Sequence, residues 1–318
     1  MSVLPFRVSG LRKRFGDLVA VDGVDLVVHP QEVVCVVGPN GAGKTTAIEC
    51  SLGLQRPDAG EVEVLGLDPV RDRTRVFQHV GVQVQDNGLY GRVRVGEILR
   101  TYAQMYDAPY DVPTLIRLFG LADREREFYR KLSGGERRKL LTAIALVGDP
   151  AFAVLDEPAS GLDPHARAAL WDAIHRLREN GLSVLLTTHD MQEAEAHADR
   201  VYILHRGRVV AEGAPEELLR AHELETRVAV RLARGAALDR DRMGRVPGVS
   251  RTSISDREAV LFGKGPMFTS AAVEALEPAG TVTARAASLE DLYLLLTQGA
   301  YADPRGDGAA APLHPATV

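Results

Sequence analysis

The sequence has few cysteines, few aromatic residues and no long apolar run, and each shortage excludes a class of protein. It contains 2 cysteines in 318 residues, too few for a disulfide-stabilised secreted domain. Cys35 and Cys50 fall in an apolar run and in a helix-like segment, so we expect two buried thiols in a reducing compartment. No stretch reaches the roughly 18 apolar residues of a membrane span, and the N-terminus lacks the features of a signal peptide. We therefore expect a chain that works at a membrane only through a partner.

Neither sign of charge is in large excess. The formal net charge of -5 argues against a general nucleic-acid binder, which needs a basic surface to displace counterions from phosphates. Hydrophobic residues make up 45% of the chain and charged residues 25%, which is ordinary for a globular protein. At about 150 residues per domain, the length predicts two domains.

The strongest motif matches G-x-x-x-x-G-K-[ST], the phosphate-binding P-loop. An apolar run, Val33–Val37, precedes it, and a helix-like segment, Thr45–Leu52, follows it. Its glycines let successive N–H groups turn toward a polyphosphate at the positive end of the helix. The motif therefore predicts a loop that binds a nucleoside triphosphate rather than an ordinary glycine-rich turn between a strand and a helix. Lys44 is expected to reach the β and γ phosphates, and the Thr45 hydroxyl to hold Mg²⁺. The motif residues are Gly38, Pro39, Asn40, Gly41, Ala42, Gly43, Lys44, Thr45 and Thr46.

Upstream of the P-loop, the pattern predicts two short strands, Phe6–Arg14 and Asp25–His29. Phe15 lies between them in a basic setting. The local sequence favours a core aromatic. Its position before the P-loop strand leaves a second interpretation open, in which the ring stacks on a purine.

After further strands at Glu61–Leu65 and Val80–Val84, the second of which ends at Gln85, the pattern becomes helical from Asp86 to Lys131. This helical segment is rich in aromatic residues. Two interpretations remain open: the aromatics fill a small core, or they form a docking surface, where aromatics are favoured. They are Tyr90, Tyr102, Tyr106, Tyr110, Phe119, Phe128 and Tyr129.

A capping box is predicted where the helical segment ends. Ser133 is expected to accept from the first turn of a new helix while Glu136 reaches back to the cap. Gly134 and Gly135 lie between them, and each glycine costs a helix up to about 1 kcal/mol relative to alanine. A helix cap does not require two adjacent glycines, so we infer that another group approaches the backbone there.

Two further predicted strands end in residues whose side chains can bind a metal or take part in catalysis. The apolar run Ala151–Leu155 ends in Asp156 and Glu157, at the edge where open α/β sheets bind ligands. Being adjacent, the two carboxylates point in opposite directions, so one can serve Mg²⁺ and the other face an attacking water. The strand Leu182–Thr187 delivers His189 to the same edge, which makes a structural role for this histidine less favoured.

The rest of the chain adds a helix, a hairpin and a second domain. Asp163 is predicted as the N-cap of a helix whose first residue is Pro164. The first domain is expected to span residues 1–220 and a small α+β domain residues 221–302. A tail, 303–318, is rich in Pro, Gly and Ala and is expected to be disordered.

Taken in order, these motifs resemble the ATP-binding cassette (ABC) ATPases, the motor subunits of ABC transporters. The resemblance covers about residues 3–220 and implies an α/β P-loop NTPase with a mixed sheet core and a helical subdomain at about residues 86–135. It implies that two cassettes, as a homodimer or a pair, enclose ATP and Mg²⁺ and drive a separate membrane permease. The chain is then peripheral, on the cytoplasmic face of the membrane.

The resemblance also implies a role for each motif residue. Phe15 stacks on adenine, Lys44 binds phosphate, and Thr45 and Gln85 lie at Mg²⁺. Asp156 holds the metal through water, Glu157 is the general base, and His189 contacts the γ-phosphate. Ser133, Gly134 and Gly135 form the signature that closes over the ATP of the other cassette, and Asp163 belongs to the adjoining D-loop.

Two departures from the family pattern are mild. Glu136 stands where Gln is more frequent, and Phe15 where Tyr is.

The segment Ser288–Tyr293 resembles the last helix of the daunorubicin/doxorubicin-resistance exporter ATPases, which implies export of drug-like or hydrophobic compounds. A non-transport ATPase acting in translation or DNA repair remains an alternative, although those types carry two cassettes or a long coiled coil. An importer ATPase is a further alternative.

Overall fold

Helices and strands alternate through the first two thirds of the chain in the computed structural model, which describes residues 3–84, 91–232, 243–255 and 257–298. This order gives an α/β fold, as the sequence predicts. The strands of this part are β1 (Phe6–Phe15), β2 (Leu18–Val28), β3 (Val33–Val37), β4 (Ala59–Val64), β5 (Val80–Gln83), β6 (Phe152–Asp156), β7 (Ser183–Thr188), β8 (Arg200–His205) and β9 (Arg208–Gly213). The helices are α1 (Lys44–Ser51), α2 (Arg73–Phe77), α3 (Val95–Ala103), α4 (Val112–Leu118), α5 (Gly134–Leu146), α6 (Pro164–Glu179), α7 (Met191–His197) and α8 (Pro215–Ala221).

A six-stranded sheet with the order β5-β6-β7-β3-β8-β9 forms the centre of the first part. The pairs β5–β6, β6–β7, β7–β3 and β3–β8 are parallel. Every residue of β3, β6 and β7 is buried, which is why these segments are nearly continuous apolar runs. The carboxyl ends of β6, β7 and β3 therefore lie side by side.

A second sheet, with the order β2-β1-β4, packs its apolar face over the first. Phe6 of β1 stacks on Phe152 of β6 with ring centroids 5.4 Å apart, and Ile48 of α1 belongs to the same core. The predicted strand Phe6–Arg14 agrees with β1, whereas the predicted strand Asp25–His29 was too short, because β2 starts at Leu18 and pairs along the length of β1 with register shifts. Gly10 and Gly23 lie inside these strands at positive φ, near the positions where the register shifts.

In the helical segment, Leu99 of α3, Leu115 of α4 and Phe119 are fully buried. Other aromatics lie at its surface, where Arg94 and Arg130 flank the ring of Phe128. Burial of Phe119 agrees with the interpretation of a small core, the docking surface stays a prediction, and Tyr90 lies outside the described residues. None of the helices in the described residues is long and apolar enough to cross a membrane.

The chain divides into two compact units, Met1–Val209 and Val210–Val318. The boundary at residue 220 and the helical subdomain at about residues 86–135 stay predictions, and the tail 303–318 lies outside the described residues. The elements of the second unit after α8 are β10 (Thr226–Leu232), β11 (Val249–Ile254), β12 (Glu258–Gly263), α9 (Phe268–Leu276), β13 (Gly280–Ala286) and α10 (Leu289–Gln298). Its strands form an antiparallel sheet with the order β11-β12-β10-β13.

The structure gives a physical role to the segment Ser288–Tyr293. Asp291 is 3% exposed, and its carboxylate accepts hydrogen bonds from the Ser288 N–H and hydroxyl at 3.0 and 2.9 Å. The Arg285 guanidinium of β13 donates to both of its oxygens at 2.8 and 3.0 Å. Arg227 Nε of β10 lies 3.4 Å away. Asp291 therefore joins the start of α10 to two strands.

We predict that Asp291→Asn lowers the free energy of unfolding by about 2 kcal/mol, because it leaves arginines without their buried counter-charge. The matched control is Glu290→Gln, at the exposed neighbouring position, which should change the free energy by less than about 0.5 kcal/mol. Equilibrium urea unfolding of the full chain measures both. Equal effects of the two substitutions would contradict the assigned clamp.

Candidate functional site

The P-loop runs from the end of β3 to the start of α1, as the sequence predicts. A Cβ atom on Gly38 would lie 2.4 Å from the Leu204 carbonyl oxygen, and one on Gly43 would lie 2.2 Å from that of Ala20. Gly43 also has a φ of +102° and caps α1. Only glycine fits these two positions, so the loop geometry follows from its neighbours as well as from its own sequence.

Lys44 folds back over this loop and is almost fully buried. Its Nζ donates hydrogen bonds to the carbonyl oxygens of Gly38 at 2.8 Å and Pro39 at 3.2 Å. It also lies 4.0 Å from Glu157 Oε1. Burial lowers the pKa of Lys44, while the carboxylates of Glu157 and Asp156 oppose the shift. An anion beside this ammonium group would favour the charged form further.

Asp156 is held by hydroxyl groups from two sides. Thr45 Oγ1 donates to its Oδ2 at 3.2 Å, and Thr187 Oγ1 donates to its Oδ1. The residue is 1% exposed. A hydroxyl and a carboxylate are hard oxygen ligands, and Mg²⁺ needs only one or two protein ligands when substrate phosphates complete its shell. The Thr45–Asp156 pair therefore fits a phosphate-bound magnesium ion.

Glu157 has a backbone conformation that the sequence does not reveal. Its φ is +47°, in the left-handed region, where a non-glycine residue costs of order 1–2 kcal/mol. Its N–H donates to the carbonyl oxygen and hydroxyl of Thr187 at 3.2 and 3.0 Å, which holds the strained turn. The turn aims the carboxylate at His189, whose Nδ1 lies 3.3 Å from Oε1. The side chains of the adjacent residues Asp156 and Glu157 thus contact different groups, Asp156 the two threonine hydroxyls and Glu157 the imidazole of His189.

A pocket of about 490 Å³ brings these groups together. Gln85 lies outside the described residues, so its predicted place at Mg²⁺ stays a prediction. Thr187 is a participant that the sequence analysis missed, although its place at the end of an apolar strand beside His189 was a usable signal. The lining residues are Asn40, Gly41, Gly43, Lys44, Thr45, Thr46, Glu157, Ser160 and His189.

Phe15 lies at the tip of the β1–β2 hairpin and is 45% exposed. The interpretation as a core aromatic was therefore wrong, since its ring is not buried by the chain. Lys13 Nζ lies 5.3 Å from the ring centroid, within range of a cation–π interaction. Leu18 and Val19 beside it are also exposed. The hairpin tip presents an apolar surface on which a planar ring can stack.

The predicted capping box at the start of α5 is confirmed. Ser133 Oγ accepts from the Glu136 N–H at 3.2 Å, and Glu136 Oε2 accepts from the Ser133 N–H at 2.8 Å. The other oxygen of Glu136 accepts a 2.7 Å hydrogen bond from Arg124 Nε, which lowers the pKa of the carboxyl group. The acid that replaces the more frequent Gln is thus neutralised by a neighbouring cation.

The two glycines of this segment have no conformational need within the chain. Neither has a positive φ. A Cβ atom on Gly134 would meet no atom within 4 Å, and one on Gly135 would meet only the Leu162 side chain, at 3.2 Å. Among the described residues, the segment Ser133–Gly135 does not line the P-loop pocket. The surface above Gly134 is therefore open to a group from elsewhere.

Asp163 caps α6, as predicted, by accepting a 3.0 Å hydrogen bond from the Ala166 N–H. This hydrogen bond lowers the pKa of its carboxyl group. The loop before it, Ser160–Leu162, connects the two regions described above. Ser160 lines the P-loop pocket, and Leu162 is the contact of Gly135.

Comparison with known proteins agrees with this geometry. The model of the ABC transporter family matches residues 21–160. The chain is 38% identical to the daunorubicin resistance ATP-binding protein DrrA3 of Streptomyces coeruleorubidus, over 91% of this chain and 95% of that protein. It is also 38% identical to the Nod factor export ATP-binding protein I of Burkholderia pseudomallei (strain 1710b), over 93% of this chain and 98% of that protein.

Solved structures show the same fold. The ATP-binding subunit of an ABC transporter superimposes with a TM-score of 0.62 at 30% identity, covering 68% of this chain and 92% of that one. An ATP-binding cassette in its ADP conformation has a TM-score of 0.60 at 22% identity, over 69% and 94% of the two chains. Together with the chain-long relatives, these observations place the protein in the ABC transporter family, as an ATP-binding subunit of the kind that hydrolyses ATP to power transport.

Proposed function

We propose that this subunit drives an exporter of drug-like or hydrophobic compounds, through a separate membrane permease. The similarity to the daunorubicin resistance and Nod factor export proteins carries the proposal, because it extends over more than nine tenths of this chain. It therefore includes the second unit, which lies beyond the matched family model at residues 21–160. The name of the Nod factor export relative favours export over import.

The P-loop pocket is the proposed ATP site. The loop amides and Lys44 bind the phosphates, where the ammonium group exchanges its carbonyl partners for phosphate oxygens. Phe15 stacks on the adenine from the hairpin tip. When bound, Mg²⁺ neutralises charge on the phosphates; Thr45, Asp156 and Gln85 are the residues that hold it. Phosphoryl transfer depends mainly on such positioning and charge stabilisation.

Glu157 is the proposed general base. Its carboxylate is mostly buried and is aimed into the pocket, 3.3 Å from His189 Nδ1 and 4.0 Å from Lys44 Nζ. It accepts the proton of the attacking water as the oxygen approaches the γ-phosphate. His189 contacts that phosphate and also lies beside Glu157, so it fixes the position of the base relative to the phosphate. The strained backbone of Glu157 supports this role, since strain concentrates at functional sites.

A second cassette completes the site in this proposal. The open surface above Gly134 and the capped start of α5 offer N–H groups and the Ser133 hydroxyl to the ATP of the partner. The pairing of Glu136 with Arg124 removes a charge that would repel phosphate. Hydrolysis then requires the closed pair, and reopening transmits force to the permease.

The groove between β5, α2 and the end of α3 is the proposed permease contact. It encloses about 540 Å³, and its lining includes Leu54 and Met105, which are 44% and 61% exposed. Large exposed apolar residues beside a groove mark protein interaction sites. A cytoplasmic segment of a permease fits this surface, and it would hold the subunit at the cytoplasmic face of the membrane.

We predict that Glu157→Gln lowers the ATP turnover of the subunit by at least about 100-fold, because general-base catalysis contributes roughly 10²–10⁴-fold. ATP affinity should stay within about threefold of the wild type, since the amide keeps the shape of the pocket. Phosphate release and titration with fluorescent ATP measure the two effects. Near-normal turnover would remove Glu157 as the base.

Lys44→Ala is the contrasting variant in the same two assays. It should lose nucleotide affinity, because the phosphates lose their only lysine contact in the described pocket. Glu179→Gln, at the exposed last position of α6, is a control that should leave turnover and affinity unchanged. Unchanged affinity of the Lys44 variant would contradict the assigned phosphate contact.

We predict that a cysteine at Met105 crosslinks to a polytopic membrane protein in native membranes. The natural cysteines, Cys35 and Cys50, are buried, so the new thiol is the reactive one. Val3→Cys has a similar exposure, 62%, at a position that does not line the groove, and should give no such product. Mass spectrometry of the crosslinked species identifies the partner. Equal crosslinking from both positions would argue against the groove as the docking site.

A further inference from the structure

Arg167 joins the start of α6 to the chain segment that carries His189. It lies one helical turn after Asp163, the cap of α6. Its Nη1 donates a 3.4 Å hydrogen bond to Asp190 Oδ2, and its Nε lies 3.0 Å from Glu193 Oε1. Asp190 is the cap of α7, and Glu193 lies in its first turn. One guanidinium group therefore connects the first turns of α6 and α7, and α7 begins directly after His189 and Asp190.

Glu193 depends on this cation because its carboxylate is largely buried. The residue is 8% exposed; burial raises the pKa of its carboxyl group, and the Arg167 cation opposes that shift. Glu193 Oε2 accepts a 3.2 Å hydrogen bond from Thr188 Oγ1, and the same hydroxyl accepts one from the Asp190 N–H at 3.0 Å. The residues on both sides of His189 thus belong to one network, which ends at Arg167.

The His189 side chain itself is weakly held. It is 52% exposed, and its Nδ1 lies 3.3 Å from Glu157 Oε1. An exposed side chain keeps much of its rotamer freedom. The position of the imidazole relative to Glu157 therefore depends on a backbone that is fixed from Thr188 and Asp190.

We propose that Arg167 is a positioning residue for ATP hydrolysis, which holds His189 against Glu157 by gripping Asp190 and Glu193. Since Arg167 also moves with the helix that begins at Asp163, it couples the D-loop to the histidine. The inference rests on the function proposed above, in which His189 contacts the γ-phosphate. The ion pair also stabilises the fold, because Glu193 is buried and its carboxylate would lose its counter-charge. The tests below therefore separate positioning from stability.

The first test separates catalysis from binding and stability. Arg167→Ala should lower kcat about tenfold and leave the KM for ATP within about twofold, because the P-loop contacts are untouched. Arg167→Lys keeps the charge but not the planar fork and should recover part of the loss. Arg176→Ala, on the exposed face of the same helix, is the matched control and should keep the wild-type kcat and thermal midpoint.

The second test asks whether Arg167 acts through His189. In a His189→Ala background, the further change Arg167→Ala should alter kcat by less than about twofold, since the group it positions is already gone. A tenfold loss in both backgrounds would overturn the inference, and so would a wild-type kcat for Arg167→Ala alone. Near-normal turnover of His189→Ala would overturn the role of His189 in the proposed function together with this inference.

A further variant keeps the test valid if Arg167→Ala does not fold because Glu193 is left buried without its cation. Arg167→Ala/Glu193→Gln removes that charge and should fold, while the hold on Asp190 is still lost. We expect the same loss of kcat, about tenfold. A wild-type kcat in this double variant would overturn the inference.

Discussion

The parallel backbone ladder that joins β6, β7 and β3 is the constraint on which the site depends. Its register pairs Asp156 with Thr187 and Val37 with Thr188, so three loops leave the same edge of the sheet. The P-loop follows β3, Glu157 follows β6, and His189 follows β7. The same register lets the Thr187 hydroxyl bind Asp156, while Thr45 reaches the other carboxylate oxygen from α1. Burial of these strands on both faces is what fixes the register and keeps the site in place.

Around this ladder, several local features lower stability, and each has a use in the proposed reaction. Lys44 is buried, which lowers its pKa, and it stays there because loop carbonyls and two carboxylates surround it. Glu157 is held in a left-handed conformation that directs its carboxylate into the pocket. Gly134 weakens the first turn of α5 without any packing need inside the chain. The last feature fits a ligand or partner above Gly134, which is why we propose that the site is shared between two cassettes.

The sequence predicted the main elements well where the pattern was strong. The buried strands β3, β6 and β7, the capping box at Ser133 and the cap at Asp163 follow from local rules, and all are observed. The prediction was wrong where tertiary contacts decide: Phe15 is exposed, and β2 starts at Leu18 rather than at Asp25 because it pairs with the whole of β1. The edge strand β11 was missed because its sequence is mostly polar and pairs on one side only. The turn at Glu157 and the reach of Arg167 to Glu193 depend on distant neighbours, so local sequence did not reveal them.

The central claim is that this P-loop pocket is one half of a site that a second copy completes. The most direct test is the mass of the Glu157→Gln variant in solution with saturating ATP and Mg²⁺, measured by light scattering. The account predicts a dimer that forms only with nucleotide. It also predicts that adding Gly134→Asp, which places a carboxylate in the open space above α5, keeps ATP binding and leaves a monomer. A monomer for Glu157→Gln with ATP bound, or an unchanged dimer after the Gly134 substitution, would contradict it.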